Sequence, residues 1–448
     1  MRVPVWLWLI LALYLGFASA YASITPYRQP GQLRLQRGAD GQGAQVTDIG
    51  APDERQHANY VARFMRGEGV PTFDPKDPNL GENYQFHQPP LYYLIATGFS
   101  KVVGAEPTAP SGIRLRWLNV LLGTGTLVCI FLAGRWGLGS DSVGLGGAAL
   151  AGLTPMFLAL HAAVSNDPLL ILWGSLTLVT VAHAFRFGWT SRTSICLALF
   201  AGLALWTKTS AVALLPTLFA ATFVCRSSGS WITRLAPVAG AVMLIAPWWV
   251  RNTKLYGDPL AMTAFREAFV GSAQRADLVT MIGQIRQANG LDAGGAGFEY
   301  WTQWFGWWTL RSFFGAFSQM DIFFSDTVYR MLAAVALVMV IAWVLTLKRQ
   351  NEEAPEDHQK RTSFSLVLGV LLGVVALMFV QFNLTYFQAQ ARYLYPAAIA
   401  IFLGLGAVFR TVPAARFAAV LLTCQGLLIL GNIAALGYIQ DQFILRTR

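Results

Sequence analysis

Nine stretches of this chain are apolar and long enough to cross a bilayer, near residues 5–23, 115–134, 143–163, 168–185, 235–250, 330–347, 364–384, 393–409 and 416–437. A helix gains about 1.5 Å per residue and needs about 20 residues to cross a hydrocarbon core of about 30 Å. Only 12% of the 448 residues are charged and 55% are hydrophobic, whereas soluble domains carry about 25% charge. The fold class that follows is an all-α polytopic membrane protein.

One further stretch, Ile195 to Cys225, is apolar except around "WTKTS". As a single helix it would be about 46 Å long, too long for one crossing. Two short spans meeting at Lys208 resolve this and bring the expected total to eleven. With a cytoplasmic N-terminus, the short inner loops then collect Arg135, Arg186, Arg192, Arg226, Arg234, Lys348, Arg349, Lys360, Arg361, Arg410 and Arg416. The short outer loops hold only Lys208 and Arg392, which is the positive-inside pattern. Within one domain, 1–448, residues 24–113 and 251–328 become two long outer loops, and "SNDP" at 165–168 a short outer turn. The first segment has two readings: a retained anchor, which its length favours, or a signal peptide ending at Ala18-Ser19-Ala20.

The net charge of +10 does not indicate nucleic acid, because the Lys and Arg residues sit mostly at the ends of apolar segments and form no basic domain. Cys129, Cys196, Cys225 and Cys424 all fall inside apolar runs, which argues against a disulfide or a cysteine metal site. No internal repeat is visible. "HQPPLYYLIATGFSKVVG" from His87 is short and bounded by proline, so it reads as a re-entrant or interfacial helix. Residues 298–324 are dense in Trp and Phe and read either as an interfacial cover over the outer face or as a lipid-lying aromatic belt.

Ionisable groups at a membrane boundary are candidates for function. In the eleven-span arrangement Asp53, Glu54, His57 and His87 share the outer side with Asn166, Asp167, Lys208, Arg251, Lys254 and Arg392. A carboxylate can orient or deprotonate a hydroxyl, while Lys and Arg stabilise the charge growing on a departing phosphate. This suits group transfer from a phosphate carrier. No Gly-rich nucleotide-binding unit is present, and a membrane-resident polyprenyl phosphate is the natural outward-facing donor. Each residue also has a plainer role. Asp53-Glu54 can cap a helix, Asp167 before Pro168 can start one, and Lys208 and Arg392 can snorkel to headgroups. His57 and His87 have no recognised metal-ligand spacing, so a divalent metal is a minority reading and no cofactor is assigned.

"PDERQHANYVARFMRGEGVP" followed by "HQPPLYYLIA" resembles the first outer loop of the GT-C glycosyltransferases, in the broad protein O-mannosyltransferase and aminoarabinose transferase superfamily. "SNDPLLIL", "AGLALWTKTSAVALLP", "APWWVRNTKLYGDPL", "SFFGAF" with "VYRML", and "QARYLYPAAIA" extend the resemblance over nearly the whole chain. It implies a GT-C fold with interfacial helices in both outer loops. The implied catalytic carboxylates are Asp53, with Glu54 beside it, and Asp167. Lys208, Arg251 and Arg392 become donor-phosphate ligands, and His57, His87, Gln88, Asn166 and Tyr393 pocket candidates. The implied reaction transfers a sugar, with inversion, from a polyprenyl-phosphate donor to an envelope glycan, lipid or protein. It would run at the outer face of a bacterial inner membrane. The chain departs from its relatives at "FFGAFSQMD", where many read "FWGxFGWM". The competing classes are a lipid or solute transporter, which typically shows repeated halves and broken midplane helices, and an inactive assembly partner.

Overall fold

The computed structural model describes residues 4–28, 33–34, 45–46, 51–225, 230–348 and 355–447. Arg226 and Arg349 of the charge pattern, and residues 29–32, 35–44 and 47–50 of the first outer loop, lie outside the described residues. Among the described residues the fold is helical, with strands only as two-residue antiparallel pairs, among them Ala316–Phe317 against Ile322–Phe323. Among the described residues, length and composition qualify seven helices as membrane-crossing, or eight with one bent pair, so the count of eleven is not established by this criterion.

One departure from the expected spans has a local cause. The apolar run at 143–163 is not one helix but two, Asp141–Leu153 and Pro155–His161, bent by 69°. Thr154 is extended (φ −74°, ψ 122°) and Pro155 begins the second piece, where its missing N–H costs no helical bond. The carbonyl released at Leu153 accepts from Asn432 Nδ2 at 2.8 Å, and Asn432 Oδ1 accepts from Tyr21 Oη at 3.1 Å. Hydrocarbon offers no water to such a carbonyl, so a polar side chain from another helix must reach it. At Lys208 the chain does break, as the length argument required: Ser191–Thr207 ends, Lys208 is extended, and a short 3-10 turn leads into Leu214–Val224.

The core is built on Arg116–Gly137, which packs between Asp141–Leu153 and Asp167–Phe187, with Val5–Ile24 across it. Ser191–Thr207 pairs with Trp231–Tyr256 alongside. Gly134 and Gly144 let two helices touch backbone to backbone: a Cβ on Gly144 would lie 2.5 Å from Phe131 O. Gly144→Ala should therefore lower stability by about 1–3 kcal/mol through overpacking, visible as a reduced apparent melting temperature in detergent.

The helix ends sort into two groups. At one end Arg186 pairs with Asp357, Arg410 donates to Leu138 O, and Ser363 donates to Val224 O at 3.0 Å. These residues come from the loops expected inside. At the other end lie the helix Glu54–Met65, the 3-10 turn Tyr84–His87, the helix Leu91–Val103, and the second long loop. Leu91–Val103, with 13 residues, is the short helix expected after His87.

Candidate functional site

The helix Glu54–Met65 begins with an amphipathic turn whose buried face carries Glu54, His57, Tyr60 and Val61. Asp53 precedes it with φ 65°, a left-handed conformation that Asp and Asn tolerate better than other side chains. Its carboxylate makes no capping bond. It turns instead towards the protein interior, where Tyr84 Oη donates to Oδ1 and Arg392 Nη2 pairs with Oδ2. The capping expectation for Asp53 is corrected on this point: the backbone does start a helix, but the side chain serves other partners.

Arg392 sits in the 3-10 turn Ala391–Ala397, after the helix Pro355–Asn383, and is 6% exposed. A second carboxylate–cation pair lies in the same cluster. Asp167 opens the helix Asp167–Phe187 and holds Lys208 Nζ at 2.5 Å, while Ser165 Oγ donates to its other oxygen at 3.3 Å. Arg392 acts electrostatically on Asp167 as well as Asp53, and His57 feels all four charges. Four segments widely separated in sequence thus bring two anions and two cations together.

Burial alone would raise the Asp53 pKa. The Arg392 guanidinium and the Tyr84 hydrogen bond outweigh it and hold the carboxyl at about 2. Burial pushes His57 down to about 3 and His87 to about 4, so both rings are neutral near pH 7. For His87 the tautomer follows from its partners. Nδ1 lies 2.5 Å from Tyr84 O, which can only accept, so Nδ1 carries the proton and Nε2 accepts from Gln88 Nε2 at 2.7 Å. His57 Nδ1 is 2.9 Å from Tyr93 Oη and its ring stacks on Tyr93. Tyr393 lies under the Arg392 guanidinium, 5.3 Å from it. Buried polar atoms without a partner among the described residues include Gln88 Oε1, Asn166 Oδ1 and Arg392 Nε; such atoms are rare in folded proteins and call for an explanation.

Two expected site residues are placed differently. Glu54, 3% exposed, points away from Asp53 and receives two hydrogen bonds from Arg116, at 2.8 and 2.7 Å. Its oxygens also accept from Val164 N at 2.8 Å and Ala51 N at 3.3 Å. Arg251 donates to Pro71 O at 2.6 Å and stacks on Trp248 at 4.7 Å, tying the first loop to the helix Trp231–Tyr256. It makes no ion pair among the described residues.

Arg116 and Tyr84 were not singled out in the sequence. Arg116 stands at the start of an apolar segment, where a topology charge also stands, and nothing local marks Tyr84. The second loop reaches the cluster with the helix Met262–Ala268, whose Phe265 meets the His87 ring at 5.3 Å, while Phe269, directly after its end, meets the Tyr84 ring at 5.8 Å. The aromatic segment 298–324 lies beside it, against Asn383 and the turn carrying Arg392. Among the described residues no three His, Cys, Asp or Glu side chains group as metal ligands.

The fold has counterparts among known proteins. Residues 87–250 match the family described as dolichyl-phosphate-mannose-protein mannosyltransferase. No curated protein sequence matches the chain. Among solved structures, the oligosaccharyltransferase AglB from Archaeoglobus fulgidus, in complex with an inhibitory peptide and a dolichol-phosphate, is similar with a TM-score of 0.54 at 14% identity. That alignment covers 98% of this chain and 55% of AglB, so the chain spans about half the length of the archaeal protein. ArnT from Cupriavidus metallidurans bound to undecaprenyl phosphate is similar with a TM-score of 0.52 at 14% identity, over 100% of this chain and 76% of ArnT. The chain has the fold of the GT-C superfamily of membrane glycosyltransferases.

Proposed function

We propose that this protein is a glycosyltransferase that moves a sugar from a polyprenyl-phosphate donor to a hydroxyl of an envelope glycan, lipid or protein. The observation that carries this reading is the double carboxylate–cation cluster, Asp53 with Arg392 and Asp167 with Lys208, in a multi-pass membrane fold. Dolichol-phosphate and undecaprenyl phosphate in AglB and ArnT supply the donor class by analogy. The positive-inside pattern supports a site on the outer face of a bacterial inner membrane.

In this reading Lys208 and Arg392 bind the donor phosphate, and Asp167 positions Lys208. Asp53 orients the acceptor hydroxyl and receives its proton. The acceptor oxygen attacks the anomeric carbon as the bond from that carbon to the phosphate oxygen breaks. The phosphate leaves with the electron pair, and attack opposite the leaving group inverts the centre. Gln88 and Asn166 offer unpaired amide oxygens to sugar hydroxyls, and the neutral rings of His57 and His87 and the phenol of Tyr393, all within the electrostatic reach of Asp53, are the further candidates for sugar contacts. Glu54 is a positioning residue that holds the turn at Asp53, and Arg251 is left out of the phosphate set because Pro71 and Trp248 engage it.

Arg392 has two partners in this scheme, which sets the order of events. While it pairs with Asp53, the carboxylate is a weak base. A donor phosphate competes for the guanidinium and leaves Asp53 more basic, so donor binding readies the base. Lys208→Ala should weaken binding of undecaprenyl phosphate to the purified protein by roughly tenfold, the loss of one charge-assisted bond. Titration in detergent measures this, and an unchanged affinity takes Lys208 out of the phosphate site.

A further inference from the structure

The chain from Phe387 to Gln390, just before Arg392, has no regular secondary structure, so its backbone groups depend on neighbours to fix them. Asn383 holds the near side: its Oδ1 accepts from Gln388 N at 2.8 Å and its Nδ2 donates to Gln388 O at 3.3 Å. The second outer loop holds the far side, where Arg275 N donates to Thr385 O and Phe387 N to Ala273 O, each at 2.8 Å. Neither anchor reaches the residues flanking Arg392 itself.

Ser312 does. It lies on the helix Trp307–Phe314, in the aromatic segment, and is 1% exposed. Its Oγ accepts from Ala391 N at 2.8 Å and lies 3.2 Å from Ala389 O, to which it can donate. Thr309 O, at 3.1 Å, shares the same hydroxyl proton. One hydroxyl therefore bridges the residues on either side of Gln390, directly before Arg392. The following residue also matters: Tyr395 Oη donates to Phe313 O at 3.1 Å and the two rings stack at 5.8 Å. The turn bearing Arg392 is clamped to Ser312-Phe313 on both sides of the arginine.

We infer that Ser312 is a positioning residue for Arg392: it fixes the backbone from which the guanidinium reaches either Asp53 or the donor phosphate, and thereby makes the aromatic segment of the second outer loop part of the donor site. The inference rests on the reading of Arg392 as a phosphate ligand. It also gives that segment a role distinct from lying in lipid, because Ser312 faces inward from a helix whose Trp308 packs on Phe387 of the same irregular stretch. Without the hydroxyl, Ala391 N loses its acceptor and the turn can shift by a fraction of an ångström, enough to misplace a side chain that must meet two partners.

The test compares Ser312→Ala, Ser312→Thr, Tyr395→Phe and Arg392→Ala with wild type, using undecaprenyl phosphate as the probe in detergent and recording apparent melting temperature for each. Ser312→Ala is expected to bind the lipid phosphate roughly tenfold more weakly, the scale of one buried hydrogen bond. Ser312→Thr, which keeps the hydroxyl, should restore binding to near wild type, and Tyr395→Phe should weaken it in the same direction by less. If Arg392→Ala binds as wild type does, the phosphate reading itself is wrong and the inference goes with it. If Arg392→Ala loses affinity while Ser312→Ala and Tyr395→Phe do not, the inference alone is overturned. A loss in Ser312→Ala that Thr does not rescue, matched by an equal fall in melting temperature, also overturns it, since that pattern marks general destabilisation. Should Ser312→Ala fail to fold, Tyr395→Phe decides between the same outcomes.

Discussion

Asp53→Asn should abolish sugar transfer, by on the order of 10²- to 10⁴-fold, the usual contribution of a general base, while leaving folded yield near that of wild type. Asn is the right probe because the position has φ 65°, which Asn tolerates as Asp does. The substitution removes charge and basicity without straining the turn. One side-chain position still accepts from Tyr84, but an amide nitrogen facing Arg392 offers no acceptor. Arg392 is then released, so undecaprenyl phosphate should bind the variant at least as tightly as wild type even though transfer has stopped. That split between binding and turnover separates a base from a residue that merely shapes the site, and retained transfer with a purified donor would remove Asp53 from the role. The pH dependence follows the same logic. Asp53 is held at about 2 and so is ionised above that value, and His57, at about 3, is neutral above it. In the free protein neither group titrates between about pH 5 and 8, so kcat/KM should show no limb from either over that range.

What the sequence disclosed follows from how local each signal is. Scarcity made the charges legible: in a chain this apolar, Asp53, Asp167, Lys208 and Arg392 stand out, and the parity of the spans put them on one side. The break at Lys208 was legible because simple length forbids one helix there. The break at Thr154-Pro155 was not, since an unbroken apolar run hides a bend whose freed carbonyl is satisfied by Asn432, 279 residues away. Pairing was equally hidden. Arg392 and Asp53 are 339 residues apart, and nothing in either neighbourhood says which acid meets which base. Arg251 reads as a third phosphate ligand by the same reasoning as Lys208, and only the fold shows that its partners are Pro71 O and the Trp248 ring whereas Lys208 pairs with Asp167. Charge type could be read from sequence, but not whether a charge was already engaged by its surroundings.

Arg116→Leu should destabilise the folded protein by on the order of 3–5 kcal/mol, because it strands a buried carboxylate. Arg116 is 0% and Glu54 4% exposed at the side chain. Without the guanidinium, Glu54 keeps, among the described residues, the backbone donors Val164 N and Ala51 N. The damage extends further, since Arg116 also donates to Ala22 O and Thr25 O at 2.6 Å and to Pro26 O at 3.0 Å. Those carbonyls lie at the C-terminal end of the helix Val5–Ile24, where a cation satisfies groups that the helix leaves unpaired. One side chain thus joins the first helix, the start of the helix Arg116–Gly137 and the residue next to Asp53. The apparent melting temperature in detergent should fall accordingly. Arg116→Leu combined with Glu54→Leu should recover part of the loss, because replacing both members of a buried pair by apolar groups removes the uncompensated charge. The double variant also decides what Glu54 does. If Glu54 only holds the turn, the recovered protein retains measurable transfer, because Asp53 still has Tyr84 and Arg392 to place it. If Glu54 is the group that takes the acceptor proton, stability returns and transfer does not, and the assignment of the base moves from Asp53 to its neighbour.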